Sequence, residues 1–303
     1  MKRVAHLLAL LAFATAAAAT DKPAQKTRAA KAPKSAAMAD FNKDGDPNLM
    51  SSAAIVLDAK TGQTLFAKNA DQVQPIASIT KLMTAMVVLD AKLPLDEPIQ
   101  ISSEDLDTLK GTSSRLPLGS HFRRDDLIRI ALVASDNRAA AALGRSYPGG
   151  IDAFVAAMNA KARLLGLEST RFVDSSGLAP GNVSSPSELA RMVAEASHYP
   201  LIREYSTTPA LDVTLPETGR KVAYQNTNAL VRTGTWDIDL SKTGYISESG
   251  KCLVMQAFIA NTPIVIVLLD SWGRLTRVAD ANRIKRWLEK NPGKLAGASF
   301  TGG

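Results

Sequence analysis

Ala77-Ser78-Ile79-Thr80-Lys81-Leu82-Met83-Thr84-Ala85-Met86-Val87-Val88-Leu89-Asp90-Ala91 is the stretch on which the fold turns. Apolar residues recur here at helical spacing and Pro94 stops the run, so 77–91 reads as a helix. What precedes it has period two: Ala53 to Leu57 reads as a strand, Lys60-Thr61-Gly62 as a turn, and Gln63 to Ala67 as the returning strand. Beyond it lie three amphipathic helices, Asp125 to Ala134, Ile151 to Leu165 and Ser187 to Ala196, the last opened by Ser185 and Pro186. Strands return at Leu240 to Tyr245, Cys252 to Ile259 and Ile264 to Leu269, and Val278 to Lys290 closes the pattern as a helix. Strands at both ends with helices between predict an α+β fold, an antiparallel sheet built from N- and C-terminal strands with an inserted helical region.

The chain of 303 residues is 46% hydrophobic and 21% charged, enough apolar matter to bury a full core. Aromatics at 5% are too sparse for a nucleic-acid reader, which needs stacking rings interleaved with a basic stripe. The net charge of +7 divides unevenly: residues 1–19 and 20–48 carry +2 each, leaving +3 for residues 49–303. The body therefore has no field that asks for a polyanion.

Residues 1–19 read as an export signal, with Lys2 and Arg3 ahead of an apolar run from Leu7 to Phe13 and a small-residue zone from Ala16 to Ala19. That run is too short to span a bilayer, and no later one reaches about 18 apolar residues. A protein without an integral membrane segment, in the periplasm, is the expectation. Residues 20–48, rich in Ala, Lys, Pro and Asp, read as a flexible linker, and 49–303 as one catalytic domain. Cys252 stands alone and is read as a small buried hydrophobe.

Three short motifs carry chemistry. In Ser78-Ile79-Thr80-Lys81 the first and last residues share one helix face, so the lysine amine reaches the serine hydroxyl. Serine is a weak nucleophile until a neighbouring base takes its proton, and a desolvated lysine can be that base. Ser135-Asp136-Asn137 follows a helix end; its hydroxyl suits proton relay, and the Asn137 amide suits a substrate backbone and the lysine. Lys242-Thr243-Gly244 lies on a late strand, where a fixed cation and hydroxyl suit a carboxylate and glycine admits a close ligand backbone. Lys60-Thr61-Gly62 has the same letters but sits where a hairpin turn is needed.

The order Ser-x-x-Lys, Ser-x-Asn, Lys-Thr-Gly is the signature of class A β-lactamases and penicillin-binding proteins. Longer segments, Ser78 to Lys92, Gly111 to Leu116, Asn159 to Phe172 and Lys242 to Met255, resemble the D-alanyl-D-alanine endopeptidases among the low-molecular-mass penicillin-binding proteins. The likeness covers about residues 49–290 and implies a β-lactamase/transpeptidase-like fold. It implies a serine peptidase that cuts D-alanyl-diaminopimelate cross-links in peptidoglycan muropeptides, needs no cofactor or metal, and is covalently inhibited by β-lactam antibiotics. Ser78 would be the nucleophile, Lys81 its general base and Ser135 the proton relay. Asn137 would hold the substrate amide, and Lys242 and Thr243 the carboxylate beside the scissile bond. The backbone N–H groups of Ser78 and of Tyr245, the residue after Gly244, would form the oxyanion hole.

A deacylating glutamate followed four residues later by asparagine, which class A β-lactamases need, is missing: Glu168 is followed at that spacing by Phe172. Slow deacylation, and stable acylation by penicillin, is the expectation. Carboxypeptidase relatives usually add a β-rich domain and an amphipathic anchor, whereas this sequence stops soon after its last helix, which favours endopeptidase over trimming of stem pentapeptides. A Ser-His-Asp hydrolase would have to use His121 or His198 and has no Gly-x-Ser-x-Gly elbow. From another class, a non-hydrolysing β-lactam sensor or wall-binding scaffold could keep all three motifs, but a sensor needs a membrane segment.

Overall fold

The structure is a computed structural model that describes residues 39–215, 217–273 and 275–295. Strand β1 (Ser51–Asp58) turns back into β2 (Thr64–Lys68). The Asp58 carboxylate accepts from the Lys60 and Thr61 N–H groups at 2.8 and 3.0 Å, and Gly62 takes φ +73°, so the first Lys-Thr-Gly is a hairpin turn as expected. The two-residue β3 (Gln74–Pro75) leads into a single 3-10 turn, Ala77–Ile79, and then α1 (Thr80–Asp90). The expected helix from Ala77 is thus two pieces. Ala77 itself sits at φ +48°, a conformation no α-helix contains, so the α geometry starts only after Ser78.

The helical region runs through β4 (Pro98–Gln100), β5 (His121–Arg123), α2 (Arg124–Val133), α3 (Asn137–Arg145), α4 (Gly150–Leu164), β6 (Val183–Ser184), α5 (Pro186–Ala196) and α6 (Pro200–Thr207). It is not all-helical: β4 pairs with β5, β3 with β6, and a β7 (Ala210–Thr214) to β8 (Lys221–Gln225) hairpin follows. After α7 (Ala229–Thr233) come β9 (Asp237–Ile246), β10 (Gly250–Ile259), β11 (Thr262–Ser271), α8 (Thr276–Lys290) and α9 (Pro292–Leu295). The main sheet has the order β2-β1-β11-β10-β9, antiparallel throughout, so the two chain ends build it as expected and β9 forms one edge.

Both faces of this sheet are covered, which explains apolar runs in place of alternation. Ala53, Ile55, Val254, Val267 and Leu269 point towards the helices and join Leu82, Met86, Leu189 and Val193 in one core. Their neighbours Ala54, Val56, Leu253, Met255 and Leu268 point the other way, onto Ile284, Trp287 and Leu288 of α8.

The body also begins earlier than expected. Residues 39–48 form a loop closed by a Phe41–Pro47 bridge, in which the Asn42 side chain accepts from the Asp44 and Asp46 N–H groups, both at 2.9 Å. Asp40 pairs with Arg286 of α8 at 2.8 Å, and Phe41 packs on the second core. The linker reading therefore fails for 39–48, because side-chain-capped turns order a polar segment without a large apolar content. The rest of that linker and the export signal lie outside the described residues.

Buried Asp280 on α8 fixes the entrance to β1, accepting from Met50 N at 3.1 Å, Ser51 N at 2.8 Å and the Ser51 hydroxyl at 2.7 Å. Asp280→Ala strands these donors, and equilibrium denaturant unfolding should show a loss on the order of 3 kcal/mol. A loss below about 1 kcal/mol would show that water replaces the carboxylate there.

Candidate active site

The turn that carries Ser78 is gripped from two sides by glycines. A Cβ on Gly177 would stand 2.0 Å from the Ala77 carbonyl oxygen, and one on Gly244 of β9 would stand 2.9 Å from Ile76 O and 3.2 Å from Ser78 N. Only glycine allows backbone to press this closely on backbone. The Gly177 loop is itself shaped by Asp174, whose carboxylate accepts from Ser176 N and Gly177 N, both at 2.6 Å, from Ala179 N at 2.8 Å and from Asn182 Nδ2 at 2.9 Å. The loop thereby turns two carbonyls towards α1: Ser175 O accepts from the Thr84 hydroxyl at 2.6 Å, and Ser176 O from Lys81 Nζ at 2.6 Å.

Lys81 is fully buried, and its amine has three partners: Ser176 O, Asn137 Oδ1 at 2.7 Å and Ser78 Oγ at 2.9 Å. Two of these can only accept. The third is a hydroxyl, which can also donate. A neutral amine therefore keeps its two N–H bonds on the carbonyl groups and turns its lone pair to the Ser78 proton. The Asn137 amide cannot flip out of this arrangement, because its Nδ2 donates to Thr112 Oγ1 at 2.9 Å, and Thr112 Oγ1 donates to the Asp107 carboxylate at 2.6 Å. A carboxylate accepts only, so the Thr112 proton is committed to Asp107; burial pushes that carboxyl upward, but this bond and three backbone N–H groups outweigh it and hold its pKa at about 2.

Burial lowers the Lys81 pKa to about 7, although Asp174 and Asp136 pull it back upward. At pH 7 about half of the amines are then neutral, against roughly one in 2,500 for an unperturbed lysine. Repulsion between the two lysines falls on Lys242, which burial, then Lys81 and Arg277, hold well below the ordinary lysine range.

A second cluster adjoins the first. Ser135, at φ +58°, is held in the left-handed region that a side chain occupies only at a cost of about 1–3 kcal/mol. Its hydroxyl lies 2.8 Å from Lys242 Nζ, which also donates to Thr243 O at 2.9 Å, while the Thr243 hydroxyl meets Thr227 Oγ1 at 2.6 Å. Ser135 is thus joined to Lys242, not to Lys81. Asp136 caps α3, accepting from Ala139 N at 3.0 Å, a structural duty. Ser78, Asn137 and Tyr245 line one cavity of about 310 Å3. Beside it, Ser135 and Asn137 line a second of about 290 Å3.

The sequence readings missed Asp107, Thr112, Asp174 and the Ser176 carbonyl. The polar runs Gly111-Thr112-Ser113-Ser114 and Asp174-Ser175-Ser176-Gly177 contain three of them, and Asp107 lies outside both. Among the described residues no carboxylate lines the cavity at Ser78, and Glu168 is exposed. His121 and His198 sit at exposed positions beside Glu217 and Glu195. Cys252 is buried in β10, its thiol pushed up to about 11 by burial. Among the described residues there is no group of His, Cys, Asp and Glu that could hold a metal, and no helix long and apolar enough to cross a membrane.

A serine whose proton faces a buried amine, at the edge of an antiparallel sheet flanked by helices, defines a serine peptidase of the acyl-enzyme type. The profile of the D-alanyl-D-alanine carboxypeptidase family matches residues 40–272, and the chain belongs to that family. It is 48% identical to the D-alanyl-D-alanine endopeptidase of Pseudomonas aeruginosa and 44% identical to that of Escherichia coli, in each case over 80% of this chain and 78% of the relative. Among solved structures it resembles the Streptomyces K15 DD-transpeptidase, with a TM-score of 0.74 and 27% identity over 80% of this chain and 97% of that one.

Two outcomes follow from this geometry. The rate of acylation by penicillin should rise with pH through an apparent pKa near 7, since the neutral form of Lys81 grows as pH passes its folded pKa; a rise delayed to about pH 10 contradicts it. Thr112→Val leaves the Asn137 amide free to flip, and stopped-flow acylation should slow by roughly tenfold while stability falls by only about 1 kcal/mol.

Proposed function

We propose that the protein hydrolyses D-alanyl-diaminopimelate cross-links of peptidoglycan, with Ser78 as nucleophile. The observation that carries this reading is the hydrogen bond between Ser78 Oγ and an amine whose other two partners are carbonyl oxygens. Ser78 Oγ attacks the D-alanyl carbonyl carbon as its proton passes to Lys81 Nζ. The backbone N–H groups of Ser78 and Tyr245 hold the oxyanion, Asn137 the substrate amide, and Lys242 with Thr243 the carboxylate beside the scissile bond. The proton that Lys81 took from Ser78 then passes to the leaving amine by way of the Ser135 hydroxyl, which Lys242 steadies, and water releases the acyl group from Ser78. Endopeptidase action is favoured by the names of the relatives at 48% and 44% identity. Removal of a terminal D-alanine through the same acyl-enzyme is the second reading, favoured by the description of the family.

β-Lactams enter as acylating inhibitors, and the lack of a carboxylate among the described residues that line the Ser78 cavity supports slow release. The periplasm is the proposed location, on the strength of the export signal read from residues 1–19.

Incubated with cross-linked and monomeric muropeptides, the enzyme should split the dimers faster than it trims D-alanine, as read by product mass. Release of D-alanine alone would favour the second reading. Ser78→Ala should abolish labelling by a fluorescent penicillin, and labelling at the wild-type rate would remove the mechanism.

A further inference from the structure

Beyond the Ser135 cavity the surface opens into a third space of about 460 Å3, lined by Arg115, Arg138, Arg220 and Lys221. Ser114 and Arg115 line both spaces, so the two adjoin. None of these four cations stands within ion-pair distance of a carboxylate among the described residues. Glu217, on the turn before Arg220, is already engaged by the His121 N–H at 2.8 Å. Arg115 stacks over the ring of Tyr224 at 5.3 Å and donates to Ala223 O, and Arg138 donates to Leu116 O, which fixes both guanidinium groups in place. Two buried polar atoms have no partner among the described residues, Arg138 Nε in this pocket and, on the wall of the adjoining Ser135 cavity, the hydroxyl of Tyr224, a residue only 2% exposed. Buried polar groups of this kind are ordinarily hydrogen-bonded, and fixed, unpaired cations form a receptor for an anion.

The position says which anion. With Lys242 and Thr243 gripping the carboxylate beside the scissile bond, the path past Ser135 leads to the leaving-group side. A carboxypeptidase expels a single D-alanine there and needs nothing further. An enzyme that cuts cross-links expels an entire acidic peptide. We infer that the Arg115–Arg138–Arg220–Lys221 pocket binds a free carboxylate of the acceptor stem peptide and so gives the enzyme its preference for cross-linked substrate. The inference rests on the cross-link reading above and names the residues that would select it. Arg220 and Lys221, both exposed on the β7–β8 hairpin, are the arms that can be altered without touching the Ser78 turn.

The test compares Arg220→Glu/Lys221→Glu, and the milder Arg220→Gln/Lys221→Gln, with the wild-type enzyme on three reactions: cleavage of muropeptide dimers, release of terminal D-alanine, and acylation by penicillin. For the charge reversal, kcat/KM on dimers should fall roughly tenfold at low salt, less for the glutamine pair, with the other two rates within about twofold. Raising ionic strength should shrink the difference. A dimer amidated only at the acceptor-stem carboxylates away from the scissile bond, with the one held by Lys242 and Thr243 left free, should lose the same factor on the wild type and lose nothing more on the variant. Unchanged dimer cleavage, or an equal fall in all three reactions, overturns the inference while leaving the cross-link reading intact. A wild-type enzyme that never splits dimers overturns both.

Discussion

A buried lysine amine held by two carbonyl oxygens and one hydroxyl is the constraint on which this architecture depends. Lys81 is fully buried, and the 3-10 turn ahead of α1, the Asp174 loop and the head of α3 each deliver one of its three partners. Burying a charge of this kind is costly, so the site shifts its proton affinity to near neutrality in preference to holding a permanent cation. Carbonyl oxygens satisfy the N–H groups in either protonation state, and the hydroxyl of Ser78 is the partner that changes from acceptor to donor as the proton leaves.

That amine keeps its direction because the surroundings are over-determined. Gly177 and Gly244 let two backbones close on the Ser78 turn, Ala77 accepts φ +48° between them, and Asp107, through Thr112, dictates which end of the Asn137 amide faces the lysine. The sheet supplies the rigid frame: β9 is its edge, and the helices against one face and α8 against the other leave it little freedom to shift. Strain at Ala77 and Ser135 is held by this packing, at the two places where a side chain must be aimed into the cleft.

Much of this was legible in the sequence, for identifiable reasons. The strands β1, β10 and β11 announce themselves as apolar runs because both faces are buried, and the spacing of Ser78 and Lys81 survives the change from 3-10 to α geometry because residues three apart share a face in both. The carbonyl of Ser176 could not be read, since any residue supplies one. Asp107 and Asp174 act by folding loops, which have no periodicity to betray them. Residues 39–48 looked like linker because their order comes from Asn42 and Asp40 side chains rather than from apolar content. The hairpin β7–β8 escaped notice because it is half exposed and short, and it carries two of the four cations of the basic pocket.

The most direct test of the account is the titration of Lys81 itself, followed by heteronuclear NMR of its side chain in the ligand-free protein. The geometry predicts a midpoint near 7 for this one lysine. A midpoint near the ordinary value of about 10.4 would mean that the buried amine stays charged at neutral pH, and the proton of Ser78 would have to leave by another route.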